Sequence, residues 1–345
     1  MAHQGVKPLT EHADFVEFIR AAAAESGLLP ALVLKDYWVT RILRAFAGDP
    51  ELQGKMLFKG GTSLSKGWGL IDRFSEDIDL LLTGPSLGSM PESRGERERF
   101  LKQLRRRVEA DTPLRLPEQR RLSRREWEFF YSRNDLHCNL RYPLPGAAAA
   151  PDGSSAEWVL VEAGFRGGAS PHERRSLDSM VAAFLRNRPS VASALGSYNE
   201  DLSPFEMDLL RPDRTFAEKL LALHVAMSAG VEGARRVRTR HYSDIAQLFA
   251  KSEDVRACLL TSSIHALVRE AASVSNLHFR TDLDVERLDI GSSPALAPTT
   301  EQITVLVAQY DSPNERALSF GDRPPFGVIL ERLEEIRRML SPGGA

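Results

Sequence analysis

Apolar residues recur at two different periods along this chain, and the switches between them mark out its elements. Glu11 to Ser26 and Pro30 to Phe46 carry the three- and four-residue spacing of helices, the second with Leu32, Leu34, Tyr37, Trp38, Ile42 and Leu43 on its apolar stripe. Met56 to Phe58 is a short apolar strand that stops at Gly60 and Gly61, after which Thr62 or Ser63 caps a helix running towards Leu70. Ile78 and Leu80 to Leu82 then form an apolar run around Asp77 and Asp79, a second strand. Glu96 to Ala110 reads as a helix, Glu126 to Ser132 and Leu136 to Tyr142 as paired strands, and Glu157 to Phe165 as a strand that follows a loop of Pro, Gly and Ala. Ser176 to Arg188 has helical spacing, and Pro204 to Leu210 alternates as a last strand. Beyond it the pattern is helical: a helix capped by Thr215, with Glu218 completing a capping box, then Asp254 to Ser275, Thr299 to Gln309 and Pro325 to Leu340. The piece from Asn276 to Pro298 is loop-rich, and the end from Ser341 reads as frayed.

Composition narrows the classes. A chain of 345 residues, 42% hydrophobic and 27% charged, can fold as one large domain or two ordinary ones. Lysine and arginine number 45 against 47 acids, a net charge of −2, so any nucleic-acid partner must be held by local patches. Cys138 and Cys258 are too few for a disulfide framework or a zinc site, which fits a reducing cytoplasm. No run approaches the roughly 18 to 20 apolar residues of a membrane span, and Met1 to Leu9 lacks the order of a signal peptide.

Candidate chemistry concentrates between Met56 and Leu82. The turn at Gly60, Gly61, Thr62 and Ser63 lets a backbone come close to a phosphate and offers it amides. Asp77 and Asp79, two apart on a strand, point to one face and repel unless a cation lies between them; Mg²⁺, which combines carboxylate and phosphate oxygens, is the natural one. Either feature alone is ordinarily a turn or a solvated face. Glu162 is embedded in apolar residues, so it faces either solvent or a cation. Lys35 and Asp36 interrupt an apolar stripe and read as a solvated pair. Two basic stretches stand out. The first runs from Arg97 to Arg125 and leads into Trp127, Phe129, Phe130 and Tyr131, which reads either as an RNA-binding run or as a core strand with arginines in water. The second is Arg235, Arg236, Arg238, Arg240 and His241, the sharper cluster.

The stretches KGGTSLSKG and RFSEDIDLLL closely resemble the nucleotidyltransferase toxins of the AbiEii/AbiGii type, a branch of the polymerase-β-like nucleotidyltransferase superfamily that takes in MenT-like toxins. A second resemblance lies in RTFAEKL, from Arg214, followed further on by RVRTRHYSDIAQL. The resemblance implies an α+β fold: a nucleotidyltransferase core with a mixed sheet flanked by helices over 1–212, and a helical C-terminal lobe over 213–345 that contributes Lys219 and Asp244. It gives Gly60, Gly61, Thr62, Ser63, Lys66 and Lys219 to the nucleotide's phosphates, and Asp77, Asp79 and Glu162, with Glu157 as the alternative, to Mg²⁺ or Mn²⁺. Asp244 then orients Lys219 or an incoming group, Lys35 can face the nucleotide, and Arg235, Arg236, Arg238 and Arg240 meet RNA. The implied activity is that of the toxin of a toxin–antitoxin pair, moving a nucleotide from a nucleoside triphosphate to RNA, a tRNA 3′ end, and so blocking translation. A cognate antitoxin is the implied partner. Transfer to a protein or a small molecule, and a nucleotide-binding regulator without turnover, are the competing readings.

Overall fold

The computed structural model describes residues 7–75, 77–145, 157–279, 281–319 and 323–341. The Pro-, Gly- and Ala-rich loop expected before Glu157 falls largely outside them, as do Met1 to Val6 and the chain after Ser341. The chain divides into two compact units. The first comprises the chain up to Gly67, Phe74–Phe165 and Glu173–Leu209; the second takes Trp68–Arg73, Arg166–His172 and everything from Leu210 on.

In chain order the first unit holds α1 (Phe15–Ser26), α2 (Pro30–Ala47), β1 (Met56–Lys59), α3 (Gly60–Lys66), β2 (Asp77–Leu82), α4 (Arg94–Asp111), α5 (Arg124–Phe130), β3 (Tyr131–Arg133), β4 (His137–Pro143), β5 (Trp158–Gly164), β6 (His172–Leu177), α6 (Met180–Arg186), α7 (Pro189–Ala194), α8 (Asn199–Leu202) and β7 (Phe205–Leu210). The strands form one mixed seven-stranded sheet in the order β3-β4-β5-β2-β1-β7-β6. β2 lies antiparallel to β1 and parallel to β5, which in turn is antiparallel to β4. Ile78, Leu80, Val159, Val161, Cys138 and Leu140 are buried to 3% exposure or less, and α2 packs on β2 and β5 while α4 packs on β4. Burial of such side chains, at about 25 cal/mol per Å² of apolar area, is what holds helix to sheet.

Four expectations are corrected here. Glu126 to Phe130 is not strand but the helix α5, started by a reciprocal cap in which Ser123 accepts from the Glu126 amide and Glu126 from the Ser123 amide. That local cap overrides the β preference of the aromatic run, and only Tyr131–Arg133 pairs with β4. The helix expected from Ser176 begins at Met180, capped by Ser179, because His172–Leu177 is the edge strand β6. α3 begins at Gly60, before either expected cap, and ends at Lys66. Lys35 and Asp36 are no solvated pair: they are 0% and 6% exposed.

The second unit is helical: α9 (Pro212–Met227), α10 (Gly230–Arg236), α11 (Arg240–Lys251), α12 (Glu253–Leu260), α13 (Ile264–Phe279), α14 (Thr300–Tyr310), α15 (Pro313–Ala317) and α16 (Phe326–Leu340). α9 is its axis, with α10, α11, α12 and α13 packed around it and α16 against α11 and α12. Phe216, Leu220 and Leu223 of α9, Ile245 and Leu248 of α11, and Ile329, Leu333 and Ile336 of α16 are wholly buried. α9 starts with Pro212 in its first turn, so Thr215 lies inside it and caps nothing. Proline without an amide hydrogen is suited to that first position, and it moves the start one turn earlier than the capping-box pattern suggests. No helix among the described residues is long and apolar enough to cross a membrane.

Candidate active site

Strand register brings the acidic residues of the first unit together. Asp79 on β2 is paired with Glu162 on β5, and on its other side with Lys59 on β1. Glu162 is paired in turn with Asn139 on β4, and Asn139 with Ser132 on β3. Directly paired residues project to the same face of a sheet, so Lys59, Asp79, Glu162, Asn139 and Ser132 form one row across five strands. Asp77 lies two residues before Asp79 and therefore on that face as well. All three carboxylates are half-buried, whereas Ile78 and Leu80 between and after them point into the core. Glu157, the alternative third acid, precedes β5 and pairs with none of these residues.

The turn after β1 is fitted to this row. Gly60 has φ +77°, a backbone state that side chains strain to adopt, and a Cβ placed there would lie 2.0 Å from Oδ2 of Asp79. The missing side chain is thus what lets the turn and the carboxylate share the space. Thr62 donates its hydroxyl to the carbonyl of Asp77 at 2.5 Å, tying α3 to the head of β2, while the Ser63 hydroxyl turns back on the Gly60 carbonyl at 2.9 Å. Gly61, Thr62 and Ser63 are buried. Lys66 is engaged inside the unit: its ammonium meets Oδ1 of Asp36 at 2.6 Å and the carbonyl of Asp178 at 2.7 Å. Asp36 also accepts from the Met180 amide at 2.7 Å, so the Lys66–Asp36 pair ties α3 and α2 to the start of α6.

The second unit holds a different cluster. Asp244, on α11 and wholly buried, receives Nε and Nη2 of Arg73, each at 2.7 Å, and Nζ of Lys219 at 2.8 Å. Burial works to raise the Asp244 pKa, but the two cations outweigh it and hold the carboxylate well below its usual range. Nζ of Lys219 also lies 3.2 Å from Nδ1 of His241. An ammonium can only donate, so Nδ1 accepts and the imidazole proton sits on Nε2. Burial first, and Lys219 second, push His241 down to about 3, keeping it neutral at ordinary pH. Arg214 is fully buried between Glu218 at 3.3 Å and Glu270 at 2.9 Å, and a Cβ on Gly168 would lie 2.4 Å from its guanidinium, which makes it an anchor for the 166–172 stretch. Arg235, Arg236 and Arg238 are exposed, Arg235 paired with Glu232 at 2.9 Å, and Arg240 is half-buried.

Two residue sets escaped the sequence reading. Lys59 and Asn139 join the acidic row only through strand register, for which one sequence carries no signal. Arg73 stands within the RFSEDIDLLL stretch itself, four residues before Asp77, and an arginine so close to a paired-aspartate motif was the available hint.

A row of hard carboxylate oxygens beside a glycine turn is what a divalent cation and a phosphate require together. Among the described residues no group of three or more His, Cys, Asp or Glu side chains is placed to hold a metal ion by itself.

The class is that of a nucleotidyltransferase. The chain matches the family described as "Nucleotidyl transferase AbiEii toxin, Type IV TA system" over residues 41–302, and it belongs to that family. A solved structure, MenT4, nucleotidyltransferase toxin Rv2826c from Mycobacterium tuberculosis H37Rv, is similar at 14% identity and a TM-score of 0.47, covering 92% of this chain and 98% of that one. No curated protein sequence matches. The family makes an antitoxin the implied partner and a nucleoside triphosphate the implied substrate.

Proposed function

We propose that this toxin transfers a nucleotide from a nucleoside triphosphate to the 3′ end of a tRNA in the cytoplasm, releasing pyrophosphate and blocking translation. The observation that carries the reading is the row in which Asp79 and Glu162 stand side by side with Asp77 on the same face. Asp77, Asp79 and Glu162 would hold Mg²⁺ or Mn²⁺, which when bound neutralises phosphate charge and lowers the pKa of an attacking oxygen. The amides of Gly60 to Ser63 receive phosphate oxygens, with Gly60 leaving room for Asp79. Lys219, steadied by Asp244 and His241, is a fixed positive charge for a phosphate, and Arg235, Arg236, Arg238 and Arg240 draw in the RNA backbone. Lys66 acts from behind, through Asp36, by fixing α3. No side chain is needed as a nucleophile, because the work is positioning and charge stabilisation.

The test is a transfer assay with each of the four α-labelled triphosphates, Mg²⁺ and total RNA, alongside Asp79→Ala. Label in tRNA that depends on Asp79 supports the reading. Label only in protein or in a small molecule overturns the RNA acceptor, and growth arrest that persists in Asp79→Ala overturns catalysis as its cause.

A further inference from the structure

Helix α4 carries seven basic residues, and they fall into two sets. Arg94 is paired with Glu98, Arg97 with Asp135, Arg105 with Glu109 and Arg107 with Asp111. Arg99, Lys102 and Arg106 make no ion pair or hydrogen bond among the described residues, and all three are exposed. Those three, and none of the paired four, line one cavity of about 720 Å³ on the first unit. Spacings of three and four residues put them on one face of the helix. Lys55 lines the cavity too, its ammonium donating to the Glu51 carbonyl at 2.8 Å, and Glu51 and Glu96 are the acids there.

A helix that neutralises four of its cations and leaves three aligned in a hollow presents an anion site. From Arg99 to Arg106 the helix rises about 10 Å, enough for its cations to meet more than one phosphate of a strand. Outside the cavity, the paired Arg105 just before Arg106 carries aromatic surface: its guanidinium lies 6.0 Å from the Trp127 ring centroid and 5.7 Å from that of Tyr131. Trp127 itself lines a second hollow with Arg120 and Arg124. An aligned run of cations for phosphates, with a second hollow on the same unit that pairs Arg120 and Arg124 with the Trp127 ring, fits a nucleic acid.

We propose that the Arg99, Lys102 and Arg106 face of α4 is a docking surface for the sugar-phosphate backbone of RNA, holding the acceptor at a distance from its reacting end. This rests on the RNA-acceptor reading above and assigns that acceptor a second contact region, apart from Arg235 to Arg240.

The experiment compares wild type with R99Q/K102Q/R106Q and with the charge-keeping R99K/R106K. Binding of fluorescein-labelled bulk tRNA is followed by anisotropy from low to moderate salt, and the KM for tRNA and kcat are taken from the labelled-transfer assay. All three side chains are exposed, so unchanged circular dichroism and Tm are expected. The glutamine variant should bind at least about 10-fold more weakly, with a salt slope lower by about 2 to 3, at about 0.7 to 0.9 per phosphate contact. Its KM should rise by a similar factor with kcat kept, and the lysine variant should stay near wild type. If wild type labels tRNA and the glutamine variant keeps both its KM and its salt slope, the surface is refuted while the catalytic reading stands. If wild type labels no RNA with any triphosphate, the catalytic reading fails by itself; the anisotropy series then decides the surface, with equal binding refuting it. Loss of binding to an acidic protein with tRNA binding intact also refutes it.

Discussion

The acidic row of the sheet and the Asp244 cluster of the helical unit both gather charged side chains, by opposite means. In the row, strand register sets Asp77, Asp79 and Glu162 half-buried on a single face, with Lys59 paired beside Asp79. Around Asp244, opposite charges are interlocked and sealed, with two cations on one carboxylate and a neutral imidazole on Lys219. The first arrangement lies partly open to solvent, and the second is closed around one buried carboxylate. Substitutions in the two places should therefore separate, one set showing mainly in rate and the other mainly in stability.

The largest separation is expected from Asp79→Asn, which should lower nucleotide transfer by about 100- to 1,000-fold, the scale of losing one well-placed electrostatic group, with Tm little changed. Asp244→Asn should do the reverse first. It leaves Arg73 and Lys219 buried against a neutral amide, and breaking a buried pair in this way costs about 3 to 5 kcal/mol, readable in urea unfolding. Equal stability of the two variants would erase the distinction.

His241 sharpens the contrast through pH. Its folded pKa is depressed to about 3, so between the unfolded value and there the unfolded chain binds a proton that the folded one refuses. Stability from this group is full above about pH 6.5 and is lost as pH falls, by about 2 kcal/mol on reaching pH 5. Asp244 contributes in the same direction only lower down, below about pH 4, where the unfolded carboxyl begins to protonate. His241→Asn, whose amide oxygen still accepts from Lys219, should flatten the unfolding curve between pH 7 and 5; an unchanged pH dependence would contradict the buried neutral imidazole.

A smaller loss of stability than at Asp244 is expected at the turn. Gly60→Ala meets both the positive φ and the Asp79 carboxylate, costing about 1 to 2 kcal/mol, and the displaced carboxylate should slow transfer by more than that figure implies. Transfer that falls only in step with the folded fraction would show that the turn and Asp79 are not coupled.

Much of this was legible beforehand, for reasons that differ by residue. The GGTS turn and the Asp77–Asp79 pair lie within one short stretch, where local spacing fixes both the turn and the shared face. Lys219 and Asp244 came from a motif resemblance, and their contact is a matter of helix packing that spacing alone does not encode. Lys59 and Asn139 needed the strand register, a non-local pairing. The aromatic run failed as a strand because Ser123 and Glu126 start a helix there, a local signal stronger than β preference. Lys35 and Asp36 were misjudged because burial of a charge depends on partners elsewhere in the chain, here the Lys66 that Asp36 meets.

The central claim is that the carboxylate row does the chemistry, and the most direct measurement is the rate of labelled-nucleotide transfer to RNA by Asp79→Asn at matched folded protein. The account predicts transfer by wild type and a loss of about 100-fold or more in the variant. Transfer at the wild-type rate by a folded Asp79→Asn protein would contradict it.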